Sequence, residues 1–362
     1  MTWIKNSIYY LALIFFLAIF LELLSFGAAH FLIKNVYGYP KNIFDGVSYH
    51  NDSEFGWIEK YGLGQPRPSP SNFGSSHTEP CVYVFGDSFA HADEVEDDQA
   101  WSYILQSLLG CSVANYGVGG YGSDQAFLML DRMLPDLRLS GKKSQKLVLF
   151  GIYQEMLRRN QAASWLFYCC PSKRNSIKPY FYFDENLNSL KLQEIPKSFD
   201  PETVKTHHLR DAYFQLSEIK FPFTMGLMKT ALFRLDARLF DILILQSWRT
   251  YSKTAVNNIQ YKIMEAAVKT ANERGFEVGF VVFPSTNDAF KNKRRYKQFL
   301  DELPISTQDG YDFFVIDLLS ALHQKSNLSG KPLRAAGGHY DAAGNSVIAS
   351  AIYNELSLRR QP

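Results

Sequence analysis

Five short apolar runs recur along this chain with helical patterns between them, and that alternation limits the fold more than any other feature. The runs are Val82–Phe85, Ser112–Tyr116, Lys146–Phe150, Glu277–Phe283 and Asp312–Ile316. Each is rich in β-branched or aromatic residues, as in strands covered on both faces. Helical patterns occupy Gln99–Leu109, Ser123–Leu137, Thr254–Arg274, Asn292–Leu303, Leu318–His323 and Ala342–Leu358. The alternation predicts an α/β fold: a three-layer, doubly wound, mostly parallel five-stranded sheet. Function in such sheets gathers at the C-terminal strand edge. Ser88, Gly120 and Gly151 each fall at or just past a strand end, so the topology predicts that all three face one crevice.

The N-terminus follows another logic. Ile8 to Leu21 is apolar and uncharged, and the character resumes after Glu22 through Ile33. That span of about 26 residues is long enough to cross a bilayer. It is apolar on all sides, which argues against a buried core helix of a soluble fold. Gly27-Ala28-Ala29 would suit cleavage of a signal peptide, but the length of the run and Glu22 favour an uncleaved, single-pass anchor. Glu22 is costly in lipid, so it is expected to face a partner helix or to be protonated. Lys5 lies on one side of the span, and Lys34 and Lys41 on the other, which leaves the orientation open.

Residues 1–36 thus read as a transmembrane anchor and 37–79 as a linker in which Gly56-Trp57 packs onto the main domain. Residues 80–362 form that domain, interrupted by an insertion at about 161–253. Within the insertion, Pro179 to Phe183 and a turn at Asp184 to Asn186 suggest a small hairpin, and Thr224–Leu245 a helical stretch. Such an insertion would roof the site, cover substrate or lie near the membrane. The net charge of +2 gives no electrostatic case for nucleic acid. Of the four cysteines, Cys81 and Cys111 open the first two strands, where a disulfide and a pair of buried thiols are equally compatible with the sequence. No Cys/His spacing resembles a zinc site, and neither metal nor organic cofactor is expected.

Three motifs carry chemistry. Gly86-Asp87-Ser88 follows the first strand directly, a common way to present a serine nucleophile beside backbone N–H groups. The loop from Asn115 to Gly122, after the second strand, holds four glycines that let backbone approach a ligand. Gly117, Gly119 and Gly122 match a dinucleotide-binding spacing, but no strand-end acid follows about 20 residues on. Gly337-Gly338-His339-Tyr340, with Gly344 and Asn345, precedes the last helix and places a histidine within reach of the first strand's end.

In this order the three blocks resemble the SGNH/GDSL hydrolase superfamily, over roughly 80–160 and 275–358. The segment from Gly86 to Trp101 is similar to membrane-anchored bacterial members linked to surface polysaccharide acylation. The resemblance implies that Ser88 is the nucleophile and His339 the general base. It puts the oxyanion hole at the N–H groups of Ser88 and Gly120, with Gln154 standing in for the family's usual asparagine. The family commonly sets an aspartate two or three residues before the histidine; here those positions are Gly337 and Ala336. Candidate acids are then Asp317, Asp341 and Glu155, with a Ser–His dyad oriented by a backbone carbonyl as the alternative.

The expected activity is a serine esterase that removes acyl groups, acetyl above all, from a carbohydrate or similar ester. Its domain would lie in the periplasm or otherwise outside the cytoplasm, near envelope polysaccharide machinery. The alternatives are an O-acyltransferase of a surface polysaccharide and a catalytically inactive glycan-binding or assembly protein of the envelope.

Overall fold

A computed structural model describes residues 2–35, 49–61, 66–68, 80–137, 146–160, 178–184, 186–197, 221–228, 255–294, 296–301 and 311–359. Contacts divide the chain into two units. One comprises Met1–Ile43, Ser164–Ile177 and Pro196–Gln246; the other comprises Phe44–Ala163, Lys178–Ile195 and Ser247–Pro362.

In the first unit, helix α1 (Thr2–Asn35) contains a 25-residue stretch, Asn6–His30, long and apolar enough to cross a membrane. Most of its large apolar side chains are exposed, as the all-round hydrophobic pattern requires. Beyond Met228, the helical stretch read at Thr224–Leu245 lies outside the described residues.

The second unit begins with a hairpin, β1 (Tyr49–Asp52) and β2 (Gly56–Glu59), inside the segment read as a linker. Asp52 makes its turn by accepting from the N–H groups of Glu54 and Phe55. The sheet follows with β3 (Val82–Phe85), helix α2 (Ser88–His91), α3 (Trp101–Leu109), β4 (Val113–Asn115), α4 (Ser123–Met133), β5 (Lys146–Tyr153) and α5 (Met156–Arg159). A second hairpin, β6 (Tyr180–Asp184) and β7 (Ser189–Gln193), turns on Asp184, whose carboxylate accepts from the N–H groups of Asn186 and Leu187. This is the hairpin the sequence suggested, though it belongs with the sheet and not with the remainder of the insertion. The chain closes with α6 (Ala255–Glu273), β8 (Phe276–Phe283), α7 (Thr286–Phe290), α8 (Lys297–Asp301), β9 (Phe313–Asp317), α9 (Leu319–Ser329) and α10 (Ala342–Arg359).

The five central strands run in the order β4-β3-β5-β8-β9, and every pairing is parallel. This is the doubly wound sheet read from the sequence. Helices α3 and α10 pack together, as do α4 and α6, flanking the sheet. Register aligns Val82 with Val113 and Leu147, and Phe150 with Phe280. Every residue of β5 is buried, and Val84, Phe85, Leu149, Phe150 and Phe280 have almost no exposure. Each such side chain stabilises the fold by about 1.5–3 kcal/mol.

Strand order reverses between β4 and β5 on either side of β3, and at such a switch point the carboxyl ends of the strands open a crevice. Ser88 stands there. At the opposite end, Cys81 and Cys111 form a disulfide with Cα atoms 6.1 Å apart. A loop of this size contributes roughly 3–4 kcal/mol in the chain-entropy account.

Of the helix predicted over Asn292–Leu303, the described residues form α8 alone, and α7 ends ahead of that range. Ser285 caps α7 early by accepting from the Asp288 N–H, and Asn292 adopts a left-handed φ of 51° that stops it. Conversely, α9 runs on to Ser329 and ends at Gly330 with a φ of 67°, a glycine C-cap.

Candidate active site

The turn after β3 is fixed from beneath. Asp87, fully buried, caps α2 by accepting from the Phe89 N–H at 3.0 Å, and Arg159 Nη1 donates to its other oxygen at 3.1 Å. Burial pushes the Asp87 carboxyl above its ordinary range, and the Arg159 guanidinium opposes that. The same Nη1 donates to the Tyr121 carbonyl at 2.9 Å, so one guanidinium ties the serine turn to the glycine loop.

That loop packs directly onto α2. Asn115 Nδ2 donates to the Ala90 carbonyl at 2.9 Å, and the Val118 N–H donates to the Gly86 carbonyl at 3.1 Å. A Cβ on Gly117 would come within 2.5 Å of the His91 backbone nitrogen, so any side chain there would force the backbone of α2 to shift. Gly120 adopts a φ of 82°. The first hairpin braces the loop from outside: Trp57 Nε1 donates to the Gly119 carbonyl at 2.8 Å, and the Tyr121 hydroxyl donates to the Trp57 carbonyl at 2.6 Å. Gly56-Trp57 therefore packs onto the sheet unit as the sequence suggested. Among the described residues, the backbone N–H groups of Ser88 and Gly120 donate to no protein acceptor.

His339 arrives from the loop before α10. Tyr340 anchors that loop by donating its hydroxyl to the Pro284 carbonyl at 2.6 Å. Asn345, buried, donates to the Tyr340 carbonyl and accepts from the Trp101 N–H. The His339 ring centroid stands 5.0 Å from that of Phe89, the residue after Ser88.

Its Nδ1 meets a carboxylate that the sequence reading missed. Glu94 Oε2 lies 2.6 Å from His339 Nδ1 and accepts from the His339 N–H at 2.9 Å; Glu94 Oε1 accepts from the Gly337 N–H. Glu94 itself holds a φ of 69°. Partial burial pushes its carboxyl up, but the hydrogen bonds from His339 and Gly337 outweigh this and hold it below the ordinary range. With Nδ1 donating to a carboxylate, Nε2 is left as the basic nitrogen of the ring.

The three acids considered from sequence have other partners. Asp317 accepts from the Tyr296 hydroxyl at 2.5 Å and pairs with Arg294 at 2.5 Å. Asp341 caps α10, accepting from the Gly344 N–H at 2.8 Å. Glu155 pairs with Arg159 one turn along at 3.1 Å. Gln154 follows the end of β5 and is half-buried, and Asn160, the nearest downstream asparagine, bonds the Asp124 N–H and Gln260. Glu94 was hidden in an acidic run, Asp93 to Asp98, that reads as a solvated loop. The signal available was the missing acid before His339 together with Gly337, where a Cβ would come within 2.5 Å of Glu94 Oε1.

Beside the site, Asp93 Oδ1 lies 2.5 Å from His91 Nδ1, and Glu59 Oε1 lies 3.9 Å from His91 Nε2. These three are the metal-capable group found among the described residues. Asp93 and Glu59 approach different nitrogens of the ring, and one ligand atom from each of the three residues lies within 4.8 Å of the others. Glu59 also accepts from the Gly119 N–H at 3.2 Å.

No protein-family model matches the sequence, and no curated protein matches it. Among solved structures, a lipolytic G-D-S-L family protein from Veillonella parvula DSM 2008 aligns at 10% identity, covering 76% of this chain and 97% of its own, with a TM-score of 0.38. A putative lipolytic G-D-S-L protein from Desulfitobacterium hafniense DCB-2 aligns at 12% identity over 75% and 97%, with a TM-score of 0.36. A catalytic mutant of an acetylxylan esterase from Geobacillus stearothermophilus aligns at 10% over 78% and 95%, with a TM-score of 0.37. The chain's own blocks at Ser88, Gly120 and His339 resemble the SGNH/GDSL superfamily.

Proposed function

We propose that this protein is a serine ester hydrolase in which Ser88, His339 and Glu94 act in series. The observation that carries the reading is the hydrogen bond from His339 Nδ1 to Glu94, in a loop whose imidazole stands beside the residue after Ser88.

In this reading His339 Nε2 takes the proton of Ser88 Oγ as Oγ bonds the ester carbonyl carbon. Negative charge moves to the carbonyl oxygen, which the N–H groups of Ser88 and Gly120 receive; removing one such donor typically lowers the rate about 10²–10³-fold. The intermediate collapses, the alkoxide leaves with the proton from Nε2, and the acyl group stays on Ser88. Water then attacks with His339 again as base, releasing the carboxylic acid and restoring the serine. Glu94 holds the ring in its Nδ1–H tautomer and offsets the charge on the imidazolium. It is not protonated in the cycle.

The substrate class we favour is an O-acetylated carbohydrate, on the sequence resemblance to membrane-anchored members linked to surface polysaccharide acylation. Full-length protein in detergent, given an acetylated oligosaccharide and an unacetylated acceptor, tests this. Free acetate that tracks loss of the ester supports hydrolysis. Acetyl appearing on the acceptor without free acetate would make the protein a transferase. Intact ester throughout would leave the glycan-binding reading in its place.

A further inference from the structure

We propose that the anchor is not a lone helix, and that residues 221–228 enter the lipid bilayer beside α1, held there by Glu22. The inference is separate from the esterase reading and stands on one cluster in the first unit. Glu22 lies 8 residues inside the His30 end of the apolar span, ~12 Å along the axis at 1.5 Å per residue. A carboxylate at that depth needs partners or a proton. Its partners come from the chain itself. Glu22 accepts from the backbone N–H of Phe223, from the Thr224 N–H at 3.1 Å and from Thr224 Oγ1 at 2.6 Å. Thr224 Oγ1 also lies 2.9 Å from Ser25 Oγ.

The packing agrees. Of the described side chains of α1, Ser25 and Ala29 are the buried ones, and with Glu22 they share one helical face at intervals of three and four residues. Phe26 meets Phe223 edge to face, with centroids 5.1 Å apart. The segment from Phe221 to Met228 carries no charge, and it leaves Phe221, Met225 and Met228 exposed by 75%, 49% and 55%. An apolar stretch bound to a membrane-length helix, with its own apolar side chains turned outward, continues the lipid-facing surface of that helix. Lipid acyl chains are the occupant this surface fits, since α1 offers the same uncharged chemistry over Ile8 to Leu21.

The test is photo-crosslinking of the full chain reconstituted in phosphatidylcholine vesicles, with a diazirine amino acid at Met225 and, in a separate protein, at Leu17 of α1 as the reference. The expected result is lipid adducts at both positions. Adducts at Leu17 but none at Met225 would overturn the proposal, as would protein adducts alone at Met225. No adduct at either position would also overturn it, by removing α1 from the bilayer. Glu22→Leu is expected to reduce the Met225 lipid adduct several-fold while leaving that at Leu17 unchanged; an unchanged Met225 adduct would exclude Glu22 as the group that holds the segment there.

Discussion

Glu94 and His339, 245 residues apart in sequence, meet through a 2.6 Å contact between carboxylate and Nδ1. The loop after α2 and the loop before α10 are thus tied together, and Glu94 also holds the Gly337 and His339 N–H groups of the opposing loop. In our account Glu94→Ala leaves the imidazole without its orienting acceptor. The expected loss is about 10²–10⁴-fold in kcat with KM little changed, by analogy with loss of the orienting acid in serine hydrolases. Adding Ala336→Asp to Glu94→Ala places a carboxylate three residues before the histidine, where the sequence resemblance expects one, and is expected to restore part of the rate. Ester hydrolysis by the single and double variants, with melting temperature as the control for folding, checks this.

Arg159 and Asp87 are both buried, with side-chain exposures of 6% and 1%. Removing only the guanidinium leaves a carboxylate in the interior without its cation. Arg159→Leu is therefore expected to destabilise the second unit by about 3–5 kcal/mol, and to loosen the Ser88 turn, since the same group holds the Tyr121 carbonyl. Denaturant unfolding gives the number; a change under about 1 kcal/mol would contradict the structural role assigned to the pair.

Glu59 predicts a pH dependence. Burial pushes its carboxyl above the ordinary range, with His91 and the Gly119 N–H opposing. A carboxyl whose pKa rises on folding favours its protonated form in the fold. Its contribution to stability is present below the unfolded pKa and is lost as pH rises through the folded one. Glu59→Gln keeps an acceptor for the Gly119 N–H and carries no charge. The variant should melt higher than the parent near about pH 7, and the gap should close as pH falls towards about 4. Parallel melting curves across that range would contradict the account.

The sheet was legible because its strands are short, apolar and bounded by helical periodicity; Val82–Phe85 coincides with β3 and Lys146 begins β5. The serine turn, glycine loop and histidine loop were legible because glycines and a strand end constrain backbone locally. The Glu94 contact was not, because it depends on two loops distant in sequence meeting in space, and an acid within an acidic run gives no local signal. Asp317 and Asp341 looked plausible by position. A tyrosine–arginine pair and a helix N-terminus had already claimed them. The β1–β2 hairpin escaped because its four-residue strands are too short for periodicity, and its hold on the Gly119 loop is again tertiary.

The most direct measurement is covalent labelling of the full-length protein by a fluorophosphonate, read beside p-nitrophenyl acetate hydrolysis. The account predicts a single adduct mapped to Ser88, no labelling of Ser88→Ala, and hydrolysis that falls by about 10⁶-fold, to background, in that variant. Labelling at another residue, or hydrolysis that survives Ser88→Ala in a folded protein, would contradict the claim that Ser88 is the nucleophile.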